Sequence, residues 1–445
     1  MSAIARVMLE MGYTVTGSDV ASQELTEKLA AKGAVVHIGH HADYVQDADI
    51  VVYSTALPRD NVERVAAEER GVPVLHRSEM LARILNEKKG IAVAGAHGKT
   101  TTSSMIAYVL DRCGIDPTFV IGGEVTNLGT NAKAGNSEYV VAEADESDGS
   151  FLAYSPYMAV VTNIEADHLE NYNGDFSNLK KAYVQFLSQV KAEGTAVLCA
   201  DDGILREMIP ALKERVVTYG IEQPADYTAC DIETVDRHTH FTMKHGEEVL
   251  GTVVLSIPGR HNVLNAMATL ITAMNTGVPF EDARNAIEGF TGAKRRYQII
   301  GDVDQILVVD DYAHHPTEIT ATLAAAKSSG KRVVAVFQPQ RYSRTYFLFE
   351  QFSKAFEDAD EVFLTDIYSP AGETPIEGVH SSKLAERIRE NSNHHVHYVP
   401  AKEQVLAQLK EQVRPGDLVL TMGAGDIWRV AYELAAYLKA KHTGD

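Results

Sequence analysis

The stretch VAGAHGKTTTS, residues 93–103, carries the residue types of a phosphate-binding loop. It joins an apolar run typical of a strand to an amphipathic stretch typical of a helix. The N–H groups of the turn and the positive end of the helix then converge on one point, which is an anion site. Lys99 adds a point charge for outer phosphates, and Thr100 offers a hydroxyl to a magnesium ion. Val93 replaces the first glycine of the usual pattern, so the loop is a variant form, and a chance Gly-Lys-Thr triplet is the alternative.

Two acidic stretches follow, each directly after a run that predicts a strand. Because the carboxyl ends of parallel strands share one edge of a sheet, we expect these side chains beside the phosphate loop. Carboxylates are hard oxygen ligands for magnesium, and a histidine joins them where the ion is bridged toward a phosphate. Each residue taken alone is explained equally well as surface charge. The residues are Glu143, Asp145, Glu146 and Asp148 in VVAEADESDGSF, and Asn163, Glu165, Asp167 and His168 in VVTNIEADHLENY.

The segment IPGRHNVLNAMATLITA predicts a helix with polar residues in its first turns, namely His261, Asn262 and Asn265. A proline and a glycine set the approach of the chain to this helix. Asn262 is explained equally well as a helix cap. Asn265 needs another explanation, because the interior of a helix disfavours asparagine.

The last third of the chain adds basic and polar residues at the ends of predicted strands. Arg341 and Arg344, in FQPQRYSRT, are three residues apart, so on a first helical turn they point to one side and suit a carboxylate. Solvated arginines are the alternative for either one. Pro316 restricts the preceding His314 and His315 to a fixed loop. The other candidates are Arg295 and Arg296 in AKRRYQ, Asp310, Asp311 and Tyr312 in VVDDYAHHPTEI, and the glycine turn of LTMGAGDIW.

Strand and helix patterns alternate along nearly the whole chain, which predicts an α/β fold with parallel sheets covered by helices. Seams near residues 87–90 (EKKG) and 289–297 (GFTGAKRRY) divide it into three domains, 1–88, 89–293 and 294–445. The candidate strands are 49–53, 90–94, 139–142, 158–162, 196–199, 306–309, 332–337, 361–365 and 418–422.

The N-terminal stretch MSAIARVMLEMGYTVTGSDV resembles the first helix and second strand of a dinucleotide-type βαβ unit. Asp19 lies at the end of that strand, where such folds place a ribose-binding acid. The preceding strand and glycine loop are expected to be missing, through a late start or a truncated first domain. An ordinary surface helix is the alternative.

The composition limits the classes of function. The 445 residues are 45% hydrophobic and 23% charged, which is ordinary globular material for two to four domains. The formal net charge of −20, without a long basic run, argues against general attraction to nucleic acid or an anionic membrane. Three separated cysteines suit a reducing compartment. Arg6 and Glu10 interrupt any signal peptide, and no window is apolar enough to span a membrane, so we expect a cytoplasmic protein.

Seven motifs in this order resemble the Mur ligases. They are GAHGKTTT, EADESD, TNIEADHLENY, PGRHNVLNA, KRRYQ, DDYAHHPTEI and FQPQRYSRT. Each motif alone has modest specificity, whereas seven in the family order are highly specific, and the resemblance covers the chain from about Met1 to its end. It implies a Rossmann-like N-terminal domain for a UDP-sugar, a central P-loop ATPase-type domain with a parallel or mixed sheet, and a Rossmann-like C-terminal domain for an amino acid.

The activity that the resemblance implies is ATP-dependent ligation of L-alanine to the lactyl carboxylate of UDP-N-acetylmuramate. The carboxylate attacks the γ-phosphate of ATP, and the amine of L-alanine then displaces phosphate from the acyl phosphate. The implied cofactors are ATP and Mg²⁺. A carboxylate and a triphosphate approach each other at low cost only when cations lie between them.

The resemblance also implies roles for single residues. The catalytic residues are Lys99, His168, Arg295 and Arg296, and the magnesium ligands are Thr100, Glu143 and His168. ATP is bound by Gly95, Ala96, His97, Gly98, Lys99, Thr100, Thr101, His261, Asn262, Asn265 and Asp311. The amino acid is bound by Tyr312, His314, Arg341 and Arg344, and the UDP-sugar by Asp19 and Ser54.

Two departures from the family pattern bear on these expectations. The missing N-terminal loop would meet the UDP diphosphate, and Gln340 stands where the family commonly has a histidine, which alters the alanine pocket. Two alternatives stay open: a sister ligase that recycles a murein tripeptide onto UDP-N-acetylmuramate, and a nucleotide-binding relative without ligase turnover.

Overall fold

The computed structural model describes residues 1–212, 215–235, 238–369 and 373–443. The chain forms two compact units. Unit 1 comprises Met1–Asp231, Phe241–Val253 and Leu264–Phe290, and unit 2 comprises Ile232–His240, Val254–Val263 and Thr291–Asp445. The two predicted boundaries between the three domains stay a prediction.

The first part of unit 1 contains two separate two-stranded parallel sheets, β1-β2 and β3-β4. The helix and strand predicted at the start of the chain are both present. The elements are α1 (Ser2–Glu10), β1 (Thr16–Asp19), α2 (Glu24–Ala31), β2 (Val35–Ile38), β3 (Val51–Tyr53), α3 (Val62–Glu69), β4 (Val74–His76) and α4 (Arg77–Asn86).

A ten-stranded sheet, in the order β14-β13-β12-β11-β10-β9-β5-β8-β6-β7, follows in the chain. The strands are β5 (Lys89–Ala94), β6 (Thr118–Val125), β7 (Thr130–Lys133), β8 (Tyr139–Glu143), β9 (Met158–Val161), β10 (Thr195–Cys199), β11 (Val216–Gly220), β12 (Tyr227–Val235), β13 (His238–His245) and β14 (Glu248–Leu255). The helices are α5 (Lys99–Arg112), α6 (Phe176–Ser188), α7 (Gly203–Met208), α8 (Arg260–Asn275) and α9 (Phe280–Glu288).

The middle strands of this sheet are apolar along their length because helices cover both faces. β5 pairs in parallel with β8 on one side and β9 on the other. The register sets Val93 opposite Glu143 and Ala94 opposite Val161. The segments that leave β5, β8 and β9 therefore start at the same level of one sheet edge.

Unit 2 contains a six-stranded sheet in the order β15-β16-β20-β17-β18-β19, with only β15 antiparallel to its neighbour. The strands are β15 (Gln298–Val303), β16 (Ile306–Asp311), β17 (Arg332–Phe337), β18 (Glu361–Leu364), β19 (Val396–Tyr398) and β20 (Asp417–Met422). The helices are α10 (Pro316–Lys327), α11 (Tyr342–Phe347), α12 (Phe349–Ser353), α13 (Ser381–Asn391), α14 (Lys402–Gln412) and α15 (Trp428–Thr443).

The pairing register aligns the carboxyl ends of four strands of this sheet. Met422 of β20 lies opposite Asp311 of β16 and Phe337 of β17, and Phe337 lies opposite Leu364 of β18. A buried cluster of apolar side chains packs on each face of the sheet. The loops that follow these strands consequently meet at one edge of a rigid core.

The predicted α/β class is confirmed, and all nine candidate strands are present with ends within two residues of the expected ones. The antiparallel β15 was not among the expected strands. None of the helices in the described ranges is long and apolar enough to cross a membrane.

Candidate active site

The phosphate loop lies between β5 and α5 and depends on two glycines with positive φ. Gly95 has a φ of +136°, and a Cβ there would lie 2.1 Å from Thr162 Oγ1. Gly98 precedes the first residue of α5 with a φ of +85°. L side chains rarely adopt these conformations, so glycine alone fits both positions without strain.

The segment that follows β9 holds the loop in place. Asn163 Oδ1 accepts a hydrogen bond of 2.9 Å from the His97 N–H, and Asn163 Nδ2 donates one of 3.0 Å to the His97 carbonyl. The Ala96 N–H donates to the Asn163 carbonyl at 3.2 Å. The sequence drew attention to Asn163 but assigned it no role. Its position directly after a predicted strand was the available signal.

Lys99, the first residue of α5, forms a buried ion pair with Glu146. Lys99 Nζ donates to both carboxylate oxygens of Glu146 at 2.9 Å and to the Gly95 carbonyl at 2.6 Å. Burial acts to lower the pKa of Lys99, but the carboxylates of Glu146 and Asp145 outweigh it and hold the pKa above its ordinary value. The ammonium therefore stays charged. Glu146 itself is 3% exposed. The sequence placed it among the candidate carboxylates for magnesium and did not predict its pairing with Lys99.

Glu143 ends β8 and lies within electrostatic range of the same ammonium. Its Oε1 accepts a hydrogen bond of 2.7 Å from the Gly122 N–H, which fixes the direction of the carboxylate. The charge of Glu143 contributes to the raised pKa of Lys99. The predicted metal ligand and the predicted phosphate ligand thus lie in one neighbourhood.

His168 follows β9 in a left-handed backbone conformation, with a φ of 54°. Its N–H donates to Asp167 Oδ1 at 2.8 Å, and its Nε2 lies 3.5 Å from Asp167 Oδ2. His168 is among the charges that lower the pKa of Asp145, in the other acidic stretch; burial alone would raise that pKa, and Lys99 is the first group to oppose it. Thr100, in the first turn of α5, is buried. Thr100, Glu143 and His168 stay the predicted ligands of a divalent cation.

Asn265, on α8, lies against the phosphate loop. A Cβ on Gly98 would come 2.8 Å from Asn265 Oδ1. Asn262 is in the first turn of α8, which begins at Arg260, and its Nδ2 donates to the Pro258 carbonyl at 2.6 Å. The helix-cap explanation of Asn262 is therefore wrong, because a cap precedes the helix and accepts from its N–H groups.

His261 lies in the first turn of α8, and Gly259 before it has a φ of +105°. A Cβ on Gly259 would lie 2.6 Å from His261 Cε1, so the glycine leaves room for the ring. Burial lowers the pKa of His261 to about 4, and the carboxylate of Glu318 opposes that shift. The imidazole is neutral at neutral pH.

In unit 2, the part of the seam segment that directly precedes β15 has a strained backbone conformation. Arg295 and Tyr297 have positive φ values of 60° and 46°, and Arg296 lies between them. The Tyr312 N–H donates to the Arg295 carbonyl at 2.7 Å, and the Tyr297 N–H donates to Asp311 Oδ2 at 2.7 Å. Strained residues persist where their surroundings hold them in place, and here the end of β16 does so.

Asp311 accepts a second hydrogen bond, of 2.7 Å, from the Ala313 N–H. Burial raises the pKa of Asp311 to about 6, and the guanidinium of Arg296 opposes the shift. Both carboxylate oxygens are thus engaged with backbone N–H groups. The predicted ribose ligand also organises the loop that carries Tyr312.

The loop after β16 presents Tyr312 and His314 edge to face, with ring centroids 5.3 Å apart. His314 Nδ1 donates to the Tyr312 carbonyl at 3.0 Å, which leaves its Nε2 as the acceptor nitrogen. Burial lowers the pKa of His314 to about 4; the carboxylate of Glu318 opposes the shift and the guanidinium of Arg344 adds to it. His315, also buried, caps the N-terminus of α10.

The loop after β17 carries Arg341 and Arg344. Arg341 is exposed, has a φ of 69°, and its N–H donates to the Tyr368 carbonyl at 2.9 Å. Arg344 donates to Gln340 Oε1 at 3.0 Å. The carboxylate of Glu373 accepts from the first two N–H groups of α11. The neutral amide of Gln340 thus restrains the Arg344 guanidinium. A histidine at position 340 would place a titratable imidazole there instead.

The two predicted UDP-sugar residues lie at the carboxyl ends of strands in different sheets, Asp19 at the end of β1 and Ser54 just after β3. Sequence reasoning missed a neighbouring array. Ser18 Oγ donates to Glu63 Oε2 at 2.9 Å and lies 2.9 Å from His40 Nδ1. Glu63, in the first turn of α3, thereby ties the end of β1 to the loop after β2.

A phosphate loop at the carboxyl edge of a parallel sheet, ringed by carboxylates, defines an α/β enzyme that acts on phosphate compounds. Three regions match families: residues 1–89 the Mur ligase family, catalytic domain; 93–273 the Mur ligase middle domain; and 295–425 the Mur ligase, glutamate ligase domain. The chain belongs to the Mur ligase family.

Its relatives include two proteins named UDP-N-acetylmuramate–L-alanine ligase. That of Geotalea uraniireducens (strain Rf4) is 50% identical over 440 residues, which are 99% of this chain and 96% of the relative. That of Symbiobacterium thermophilum is 50% identical over 448 residues, 99% of this chain and 93% of the relative.

Two solved structures are similar over almost the whole chain. The UDP-N-acetylmuramate–alanine ligase of Thermotoga maritima has a TM-score of 0.81 and 28% identity, covering 99% of this chain and 97% of the other. A murein peptide ligase of Psychrobacter arcticus 273-4 has a TM-score of 0.67 and 26% identity, covering 98% and 96%.

Gly95→Ala is expected to disrupt the phosphate loop, because the new Cβ meets Thr162 Oγ1 and the backbone is strained by its positive φ. We expect affinity for ATP to fall by at least about tenfold, with a lower melting temperature. Calorimetric titration with ATP is the measurement. Gly203→Ala is the matched control, since the nearest atom to its Cβ would be 3.9 Å away. Equal ATP affinity of Gly95→Ala and the wild type would contradict the loop assignment.

The buried His314 makes unit 2 less stable in acid. The ordinary pKa of histidine is 6.5, and the pKa of His314 in the folded chain is about 4. Between these two pH values, His314 binds a proton in the unfolded chain but not in the folded one. The free energy of unfolding therefore decreases as the pH is lowered from 6.5 to about 4. In His314→Gln, this fall becomes shallower by up to about 1.4 kcal/mol per pH unit. Urea unfolding between pH 4 and 6.5, followed through the fluorescence of Trp428 in unit 2, measures it. Parallel stability curves for variant and wild type would refute the prediction.

Proposed function

We propose that the chain catalyses the ATP-dependent ligation of L-alanine to the lactyl carboxylate of UDP-N-acetylmuramate, a step of peptidoglycan precursor synthesis. The observation that carries the proposal is the charged Lys99 of a phosphate loop, set among carboxylates, in a chain about half identical to full-length L-alanine ligases. We likewise propose a cytoplasmic location, in keeping with free thiols at Cys113, Cys199 and Cys230.

In the first step, a lactyl carboxylate oxygen attacks the γ-phosphorus of ATP, and the bond to the ADP oxygen breaks. The product is an acyl phosphate. Two anions approach each other, so the site must supply positive charge between them. Lys99 is the proposed phosphate ligand. Its ammonium is charged, and phosphate oxygens would replace the Glu146 oxygens that it contacts at 2.9 Å.

Thr100, Glu143 and His168 are the proposed ligands of a magnesium ion, which when bound would neutralise phosphate charge. The hydrogen bond from Gly122 holds the Glu143 carboxylate in a fixed direction. The hydrogen bond from the His168 N–H to Asp167 Oδ1 fixes the backbone of His168. The donor set of hydroxyl, carboxylate and imidazole fits a divalent cation that also meets phosphate oxygens.

ATP has further proposed contacts. Asn265 lies against Gly98 and is proposed for the nucleotide, together with His261 and Asn262. Asp311 is proposed for the ribose. Arg295 or Arg296 is the proposed second cation for the transferred phosphate.

In the second step, the amine of L-alanine attacks the acyl carbon, phosphate leaves, and the amine loses a proton. Tyr312, His314, Arg341 and Arg344 are the proposed ligands of the amino acid. The neutral His314 presents Nε2 as a hydrogen-bond acceptor, which suits an amine donor. A guanidinium fork suits the carboxylate of the amino acid.

The acceptor distinguishes the proposal from its alternatives. Among the solved structures, the L-alanine ligase has a TM-score of 0.81 and the murein peptide ligase one of 0.67, at similar identities of 28% and 26%. The two L-alanine ligases of Geotalea uraniireducens and Symbiobacterium thermophilum are 50% identical to the chain. Phosphate release with ATP, Mg²⁺ and UDP-N-acetylmuramate should depend on L-alanine. We expect kcat/KM for a murein tripeptide to be at least about tenfold lower than kcat/KM for L-alanine. Serine and glycine are further arms of the assay. Preference for the tripeptide would favour the recycling ligase, and ATP binding without phosphate release would favour a relative without turnover.

Lys99→Ala should lower phosphate release by at least about 100-fold, because no other group replaces the ammonium in the loop. The measurement is phosphate release with all three substrates, beside circular dichroism to verify folding. Lys89→Ala is the matched control. Lys89 is the first residue of β5, the strand whose other end leads into the phosphate loop, and its Nζ forms an ion pair with Glu138 Oε1 at 2.8 Å. Unchanged turnover in Lys99→Ala, or equal loss in both variants, would contradict the role of Lys99.

A further inference from the structure

All three nitrogens of the Arg295 guanidinium donate hydrogen bonds to groups of its own unit. Its Nε donates to Asp310 Oδ2 at 2.9 Å, its Nη1 to the Gly425 carbonyl at 3.1 Å, and its Nη2 to the Gly423 carbonyl at 2.6 Å. Asp310 is fully buried, and its Oδ1 also accepts a hydrogen bond of 2.7 Å from Thr421 Oγ1. One guanidinium therefore links the end of β16 to the glycine turn after β20.

That glycine turn is in contact with the loops proposed for the amino acid. A Cβ on Gly423 would lie 2.7 Å from the Gln338 carbonyl, and one on Gly425 would lie 2.3 Å from Gln338 Oε1 and 2.7 Å from the Tyr368 ring. Tyr368 in turn accepts the N–H of Arg341. A displacement of the turn would thus be transmitted to the backbone that carries Arg341.

The same guanidinium also braces the loop after β16. The Arg295 carbonyl accepts the N–H of Tyr312, and its guanidinium lies 5.1 Å from the centre of the Tyr312 ring. Arg295 therefore ties together four segments at one edge of the sheet. They are the seam before β15, the loop after β16, the turn after β20 and, through that turn, the loop after β17.

We infer that Arg295 is a positioning residue for the amino-acid site, and that it neither binds phosphate nor contacts substrate. Arg296, whose guanidinium also lies near the Tyr312 ring, at 5.2 Å, stays the proposed cation for the transferred phosphate. The inference rests on the proposed function, and it reassigns Arg295 from the catalytic role that the sequence motif implies. Its chemical reason is the planar fork of N–H donors, whose three separate nitrogens reach acceptors on two different segments, whereas a lysine ammonium donates from a single nitrogen.

The experiment separates the two half-reactions. Hydroxylamine attacks the acyl phosphate in the absence of L-alanine, forms a hydroxamate and releases phosphate, so it reports the first step alone. In Arg295→Lys and in Asp310→Asn, we expect hydroxamate formation within about threefold of the wild type, and KM for L-alanine raised about tenfold with kcat little changed. Arg296→Lys should instead lower hydroxamate formation by about tenfold or more.

Arg332→Lys is the matched control. Arg332 forms a similar fork to Asp417 at 2.9 and 3.0 Å and to Glu361 at 3.0 Å, but at the amino ends of the strands. It should lower stability and leave KM for L-alanine unchanged. If Arg332→Lys raises that KM as much as Arg295→Lys does, the effect is general loosening and the inference is wrong. Loss of hydroxamate formation in Arg295→Lys would likewise overturn it.

A failure of the proposed function is visible separately, because the wild type would then release no phosphate with its three substrates. In that case, urea unfolding followed through Trp428 decides the structural part. Arg295→Lys and Asp310→Asn should be coupled, so that the double variant is destabilised less than the two single effects combined, by about tenfold in the unfolding constant. Additive effects would refute the link between Arg295 and Asp310.

Discussion

Aligned carboxyl ends of parallel strands are the constraint on which both sites depend. In each unit, the hydrogen-bond register brings neighbouring strands to an end at the same level, Val93 beside Glu143 and Asp311 beside Met422. Loops that leave a sheet at one level must share the space above its edge. Residues that are 50 and 111 positions apart in the chain are brought side by side in this way.

The two units stabilise these crowded edges by the same physical means. Each has a buried ion pair close to glycines with positive φ: Lys99 and Glu146 beside Gly95, and Arg295 and Asp310 beside Gly423. Removal of one partner would leave a buried charge without compensation, which is costly. The pairs therefore hold the loop backbones in one geometry, and the glycines allow neighbouring segments to approach within contact distance.

The ion pair of the phosphate loop also bears on chemistry. Carboxylates beside Lys99 keep its ammonium charged in spite of burial, so the cation is present before a phosphate arrives. A bound phosphate then exchanges one set of anionic oxygens for another, and little new desolvation is required. In unit 2 the buried imidazole of His314 is neutral instead, which suits a partner that donates a hydrogen bond.

The sequence by itself determined the α/β class, nine strands and the loops that carry polar residues, because period, strand length and glycine spacing are local properties. It could not determine which of these polar residues pair with each other. Glu146 and Glu143 belong to one acidic motif, yet Glu146 pairs with Lys99 and Glu143 accepts the N–H of Gly122. Arg295 and Arg296 are adjacent and chemically identical, and only the strained backbone of the seam before β15 directs one of them to Asp310. Asn262 suits a cap by residue type, but the helix begins two residues earlier. Partner choice depends on register and on backbone direction at each strand end, and those are properties of the packed sheet, which no local stretch of sequence contains.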